Sequence, residues 1–172
     1  MPELVDTHAH LHFPQFTADL PEVLARARAA GVRRLVTVGT DVEGSQAAVA
    51  LTRHEPDVWA TVGIHPHDAA TGDEPALAEI ARLATERQVV AIGEIGLDFF
   101  RNLASRDDQT RVFRRLLGLA RSAGKPVVIH CREAHAEIVE ILTEEKVQEV
   151  GGIMHCFSGD VAVARQCLDL GL

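Results

Sequence analysis

Leu4-Val5-Asp6-Thr7-His8-Ala9-His10 is the stretch on which the reading of this chain turns. A strand-like start over 3–8 runs directly into Asp6-Thr7-His8-Ala9-His10, where a dinucleotide-binding fold would carry a Gly-rich phosphate loop. Five more short, apolar, β-branched stretches follow, at 34–39, 58–65, 89–97, 126–131 and 152–157. They are nearly continuous apolar runs, as expected of parallel strands buried on both faces. Helix-like segments with end signals lie between them. Residues 19–30 are rich in Leu, Ala, Glu and Arg and stop at Gly31, a glycine suited to the C′ position. Glu74-Pro75 puts a proline in the first turn of a third helix. A longer helix over 105–123 ends at Gly124, and Asp160 caps a last one that finishes near Gly171. Strand-helix alternation predicts an α/β fold with right-handed crossovers, and the missing phosphate loop directs it towards a TIM (β/α)8 barrel.

The strand starts, at 3, 34, 58, 89, 126 and 152, average about 30 residues apart, and eight such modules need roughly 240–250 residues. About six β/α modules are therefore expected in 1–172, as one hydrolase domain incomplete at its C-terminus, with two unpaired sheet edges. At 47% hydrophobic and 24% charged residues the composition is that of a soluble globular protein. No apolar run approaches the roughly 18 residues of a membrane span. The acidic start lacks the pattern of a secretory signal, so the expected location is cytoplasmic, with no membrane association. Cys131, Cys156 and Cys167 have no CxxC spacing and read as buried structural thiols rather than a disulfide framework.

The candidate chemistry sits at strand ends. His8 and His10, two apart on one strand, point the same way and can reach one ion. Glu94, in Gly93-Glu94-Ile95-Gly96-Leu97-Asp98, is a carboxylate inside an apolar strand, costly to bury unless paired or metal-bound. His130 ends the fifth strand and His155 lies late in the sixth. Ligand-capable groups thus fall near the C-terminal ends of four strands, the rim on which barrel active sites are built. The alternative for any one of them alone is a partly buried polar group at a strand end. Four histidines and a carboxylate suit zinc or manganese better than calcium. Glu94 can bridge two ions, since Lys125 and Lys146 are not placed to do so.

His65 and His67, in Gly63-Ile64-His65-Pro66-His67, end the third strand on the same rim and are candidates for substrate phosphate or for ordering the loop. Arg101 and Arg132 are candidate phosphate contacts, with a solvated surface role as the alternative. Asp98 reads as an orienter of a ligand histidine or as a cap of the following loop. His12, His54 and His135 have no strand-end logic and read as structural. There is no tyrosine and no G-x-S-x-G elbow, which weighs against nucleophile-based schemes.

Taken in order, Asp6-Thr7-His8-Ala9-His10-Leu11, Gly63-Ile64-His65-Pro66-His67, Gly93-Glu94-Ile95-Gly96-Leu97-Asp98, His130-Cys131-Arg132-Glu133-Ala134 and His155-Cys156-Phe157-Ser158-Gly159 resemble the TatD family of metal-dependent deoxyribonucleases. The resemblance covers the whole chain. It implies an amidohydrolase-like TIM barrel holding two divalent metal ions (zinc, manganese or magnesium). One ion falls on His8, His10 and Glu94, the other on Glu94, His130 and His155. It further implies 3′-to-5′ exonuclease cleavage of DNA, at single-stranded ends, by an activated water, with no stable protein partner. The family's metal-binding aspartate after the seventh strand has no counterpart in these residues, which puts turnover in question. The net charge of −8 excludes a broad basic grip on nucleic acid, so a nuclease must rely on a small site with metal charge. Two alternatives stand beside this reading: a metal-dependent hydrolase of an amide, lactone or aminoacyl ester, and a catalytically dead fragment.

Overall fold

The structure is a computed structural model that describes residues 3–172; Met1 and Pro2, part of the reading against a signal segment, lie outside them. Six strands alternate with six helices: β1 (Leu4–Ala9), α1 (Leu20–Ala29), β2 (Val32–Val38), α2 (Val42–Thr52), β3 (Val58–Val62), α3 (Glu74–Leu83), β4 (Val89–Asp98), α4 (Arg106–Ala123), β5 (Val127–Arg132), α5 (His135–Glu144), β6 (Gly152–Met154) and α6 (Val161–Asp169). Every neighbouring pair is parallel, and the spatial order is the chain order. The sheet curls into part of a (β/α)8 barrel, as the alternation predicts.

Strand β4 anchors the core. Ile92, Ile95 and Leu97 are fully buried, together with Ile80 and Leu83 of α3, Phe113, Leu116 and Leu117 of α4, and Ile138 and Leu142 of α5. Each such side chain contributes roughly 1.5–3 kcal/mol by leaving water. A smaller cluster of Leu11, Leu24, Leu35 and Val58 seats α1 on the first strands. Helix ends follow local chemistry. Ser105, Asp73 and Asp160 each accept a backbone N–H of the first turn of their helix, and Gly31 and Gly124 close α1 and α4 with positive φ.

Two strands are shorter than their apolar runs. β3 stops at Val62, and Pro66, which lacks an N–H, opens a 3₁₀ turn over Pro66–Thr71. β6 stops at Met154, and the chain turns at Cys156, whose φ is 47°. Cys156 is therefore exposed, against the expectation of a buried thiol, because strand alternation no longer applies to it. Cys131 and Cys167 are buried, and burial pushes the Cys131 thiol up to about 11. Among the described residues β1 pairs only with β2 and β6 only with β5. Leu4, Val5 and Ile153 on these edges stay largely exposed. No helix among the described residues is long and apolar enough to cross a membrane.

The register of β4 on β5 fixes the rim. Ile95 faces Ile129, Gly96 faces His130 and Asp98 faces Arg132. Gly96 has φ 142°, and a Cβ there would stand 2.0 Å from the His130 carbonyl oxygen. Only glycine allows the approach. Gly96→Ala should therefore lower the urea midpoint markedly, while Phe113→Ala should cost about 3–5 kcal/mol through an unfilled cavity. Urea unfolding followed by circular dichroism measures both, and an unchanged midpoint for Gly96→Ala would refute this account of the register.

Candidate metal centre

Glu94 is 4% exposed and each of its carboxylate oxygens meets a different set of imidazoles. Oε1 lies 3.0 Å from His130 Nδ1 and 3.7 Å from His65 Nε2. Oε2 lies 3.2 Å from His8 Nε2, and the His155 ring stacks on His8 at 3.5 Å, 8° from parallel. Two groups able to hold an ion result, His8–Glu94–His155 and His65–Glu94–His130, with Glu94 common to both. β1, β4 and β5 supply His8, Glu94 and His130; the turns just beyond β3 and β6 supply His65 and His155. Parallel strands with a common rim are what gather them.

Burial opposes charge on Glu94, but the hydrogen bond from His130, the close approach of His8 and the neighbouring imidazoles outweigh it and hold the carboxyl well below its usual range. Burial, then His130, takes His65 down to about 3. Burial, then His8, also lowers His155. For His130 burial lowers the pKa, yet Glu94 and then Asp98 more than reverse this. The result is a carboxylate with neutral His65 and His155 beside it at pH 7, the form in which an imidazole donates a lone pair.

Asp98 is 1% exposed and meets both the loop after β4 and two histidines of the rim. Oδ1 accepts the backbone N–H groups of Phe100 and Arg101, which caps the loop after β4. Oδ2 lies 2.8 Å from His67 Nε2 and 3.1 Å from His130 Nε2. A carboxylate on the far nitrogen of a histidine is the usual way to fix the ring and tautomer of a ligand. His10 stands outside both ion-holding groups, its Nδ1 2.8 Å from the Val38 carbonyl and its ring stacked on Phe13. Arg101 and Arg132 are exposed at the ends of β4 and β5. His135, without strand-end logic in the sequence, opens α5 and lines a cavity of about 490 Å³ with His130, Arg132, His155 and Ser158. No local pattern marks His135 or Ser158, since only the topology brings them there. His12 bonds Thr37 Oγ1, and burial holds it down at about 4, in keeping with a structural role.

These donors fit a metal ion. Both ring nitrogens of His8 are buried without a well-aligned hydrogen bond, although Nε2 points at Glu94. Buried polar atoms rarely go unsatisfied unless a partner of another kind is meant for them. Closely stacked imidazoles around one carboxylate are a nitrogen–oxygen donor set for a borderline divalent cation.

The model of the family described as TatD related DNase matches residues 5–172. This chain belongs to that family. The TatD relatives include the uncharacterized metal-dependent hydrolase YabD of Bacillus subtilis strain 168, 43% identical over 167 residues, which are 97% of this chain and 66% of that protein. The 3′-5′ ssDNA/RNA exonuclease TatD of Klebsiella pneumoniae is 43% identical over 170 residues, 98% of this chain and 64% of that protein. Among solved structures, YJJV, a TatD homolog from Escherichia coli K12, superposes with a TM-score of 0.90 at 30% identity, covering 98% of this chain and 65% of that one. The chain thus spans just under two thirds of the relatives it matches. The fold is a TIM barrel, with six of its modules among the described residues.

If Glu94 is the shared donor, Glu94→Ala should bring bound zinc or manganese close to zero by elemental analysis after equilibrium dialysis. His54→Ala, two residues past α2, should bind as much metal as the parent. Equal metal in both variants would remove Glu94 from the site.

Proposed function

We propose that the protein is a metal-dependent hydrolase of DNA phosphodiester bonds, acting from 3′ ends of single strands with two divalent ions. The observation that carries this reading is the buried Glu94 carboxylate, with one oxygen turned to each of two imidazole sets. His8, His10, His130, His155 and Glu94 are the proposed ligands, with zinc, manganese or magnesium as the ion. His10 fits because its Nδ1 contact with the Val38 carbonyl fixes the tautomer and leaves Nε2 for a cation. His65 stands close enough to Glu94 to join the second set or to receive a phosphate oxygen. When bound, such ions neutralise phosphate charge and generate the attacking water at neutral pH.

The chain's own residues do the rest. Glu94 stays ionised among the histidines, so the centre keeps a fixed negative charge between its imidazole sets. Asp98 holds His130 and His67 on the rim, and Arg101 and Arg132 stand where a guanidinium can take phosphate oxygens in pairs. The names of the relatives, metal-dependent hydrolase and ssDNA/RNA exonuclease, support the same reading. A second reading, hydrolysis of an amide, lactone or aminoacyl ester, draws on the net charge of −8, which suits a small uncharged substrate better than a polyanion.

A short single-stranded DNA labelled at its 5′ end separates the two. Metal-loaded protein should shorten it stepwise from the 3′ end, and a chelator should stop the reaction until ions are restored. Intact DNA with zinc, manganese and magnesium alike, together with turnover of a lactone or ester, would establish the second reading instead.

A further inference from the structure

Phe100 lies in the loop after β4, 52% exposed, and the Arg132 guanidinium carbon stands 4.3 Å above its ring centroid. An exposed aromatic ring beside a catalytic rim leaves apolar surface in water, and here a cation from a second strand already lies on its face. The pair joins the ends of β4 and β5, since Asp98 is in register with Arg132. Its position is fixed through Asp98, whose Oδ1 accepts the Phe100 and Arg101 N–H groups at 3.1 and 2.7 Å. The other oxygen of that carboxylate reaches His130. The ring is thus tied by one side chain to a proposed metal ligand. Arg132 also lines the cavity of about 490 Å³ shared by His130 and His155, a volume suited to a nucleotide-sized group.

The charge distribution points the same way. On the outer helices Arg82, Arg111, Arg114, Arg115 and Arg121 are committed to Glu79, Asp108, Glu144, Glu74 and Glu145. Arg101, Arg106 and Arg132 have no carboxylate within 4.0 Å among the described residues. Arg106 instead covers Phe99 at 4.0 Å. In an acidic chain, the rim after β4 and β5 therefore offers uncommitted guanidinium groups next to aromatic faces. That combination is how single strands are held without sequence readout: bases stack on rings while cations follow the backbone.

We propose that Phe100, with Arg132 on it, is the stacking platform that seats a base of single-stranded nucleic acid beside the metal centre. This rests on the phosphodiesterase reading and specifies its substrate: an unpaired, base-bearing strand, with little preference for which base. Removing one stacking ring commonly weakens binding by roughly 5- to 150-fold.

The test is a fluorescence titration with a short single-stranded oligonucleotide carrying 2-aminopurine, whose emission is quenched on stacking. An abasic oligonucleotide of the same length, titrated in competition, reports the backbone contribution. Phe100→Ala should lose the quenching and weaken the base-bearing strand within that range, leaving the abasic strand unchanged, and Phe100→Tyr should restore the parent values. Parent-like binding of both strands by Phe100→Ala overturns the platform. Equal loss of both strands, or failure of the parent to bind, overturns it too. Phe100-dependent quenching without cleavage under any divalent ion would keep the platform and sink the phosphodiesterase reading; cleavage with no Phe100 dependence would do the reverse.

Discussion

The contact of one Glu94 oxygen with His130 and of the other with His8 joins β1, β4 and β5, three strands that are far apart in the chain. A carboxylate this deeply placed is tolerable only while charge or hydrogen bonding answers it on every side. The surrounding structure supplies that condition. Parallel pairing puts all strand ends on one rim, the Gly96 contact sets β4 against β5, and the short β3 and β6 release His65 and His155 into turns that fold over the carboxylate. Substantial packing lies beneath, in the layer from Ile92 to Leu142, so the rim rests on the most fully buried part of the molecule.

The same arrangement bears on how an acidic chain would meet the polyanionic substrate proposed for it. Most helix arginines are paired with neighbouring carboxylates and so add little net positive charge to the surface. Arg101 and Arg132, after β4 and at the end of β5, are left uncommitted beside the proposed centre, where bound ions would add further positive charge. A site built this way acts over a few ångströms, within one screening length, and does not require the whole protein to be basic.

Much of this is legible in the sequence. His8-x-His10, Glu94 within an apolar strand, and the histidines at the ends of later runs mark the rim, because period-two geometry and the cost of burying charge are local properties. The strand order follows from the repeating modules. Where the strands end was less legible: apolar residues continue past β3 and β6, and only Pro66 and the turn at Cys156 stop them. That is why Cys156 faces solvent rather than the core. Asp98 reads two ways in the sequence because its two oxygens face different partners, loop N–H groups and histidines, an arrangement that depends on the β4–β5 register. Phe100, His135 and Ser158 carry no spacing signal at all. Their place beside the centre is a property of the loops, which the barrel brings together from separate modules.

A single oxygen of Asp98 faces both His67, in the turn after β3, and His130, on β5. A carboxylate oxygen has lone pairs for two such contacts, so one side chain joins the turn after β3 to the end of β5. The turn after β3 and the β5 end of the rim thus share one anchor, and neither ring is oriented independently of the other.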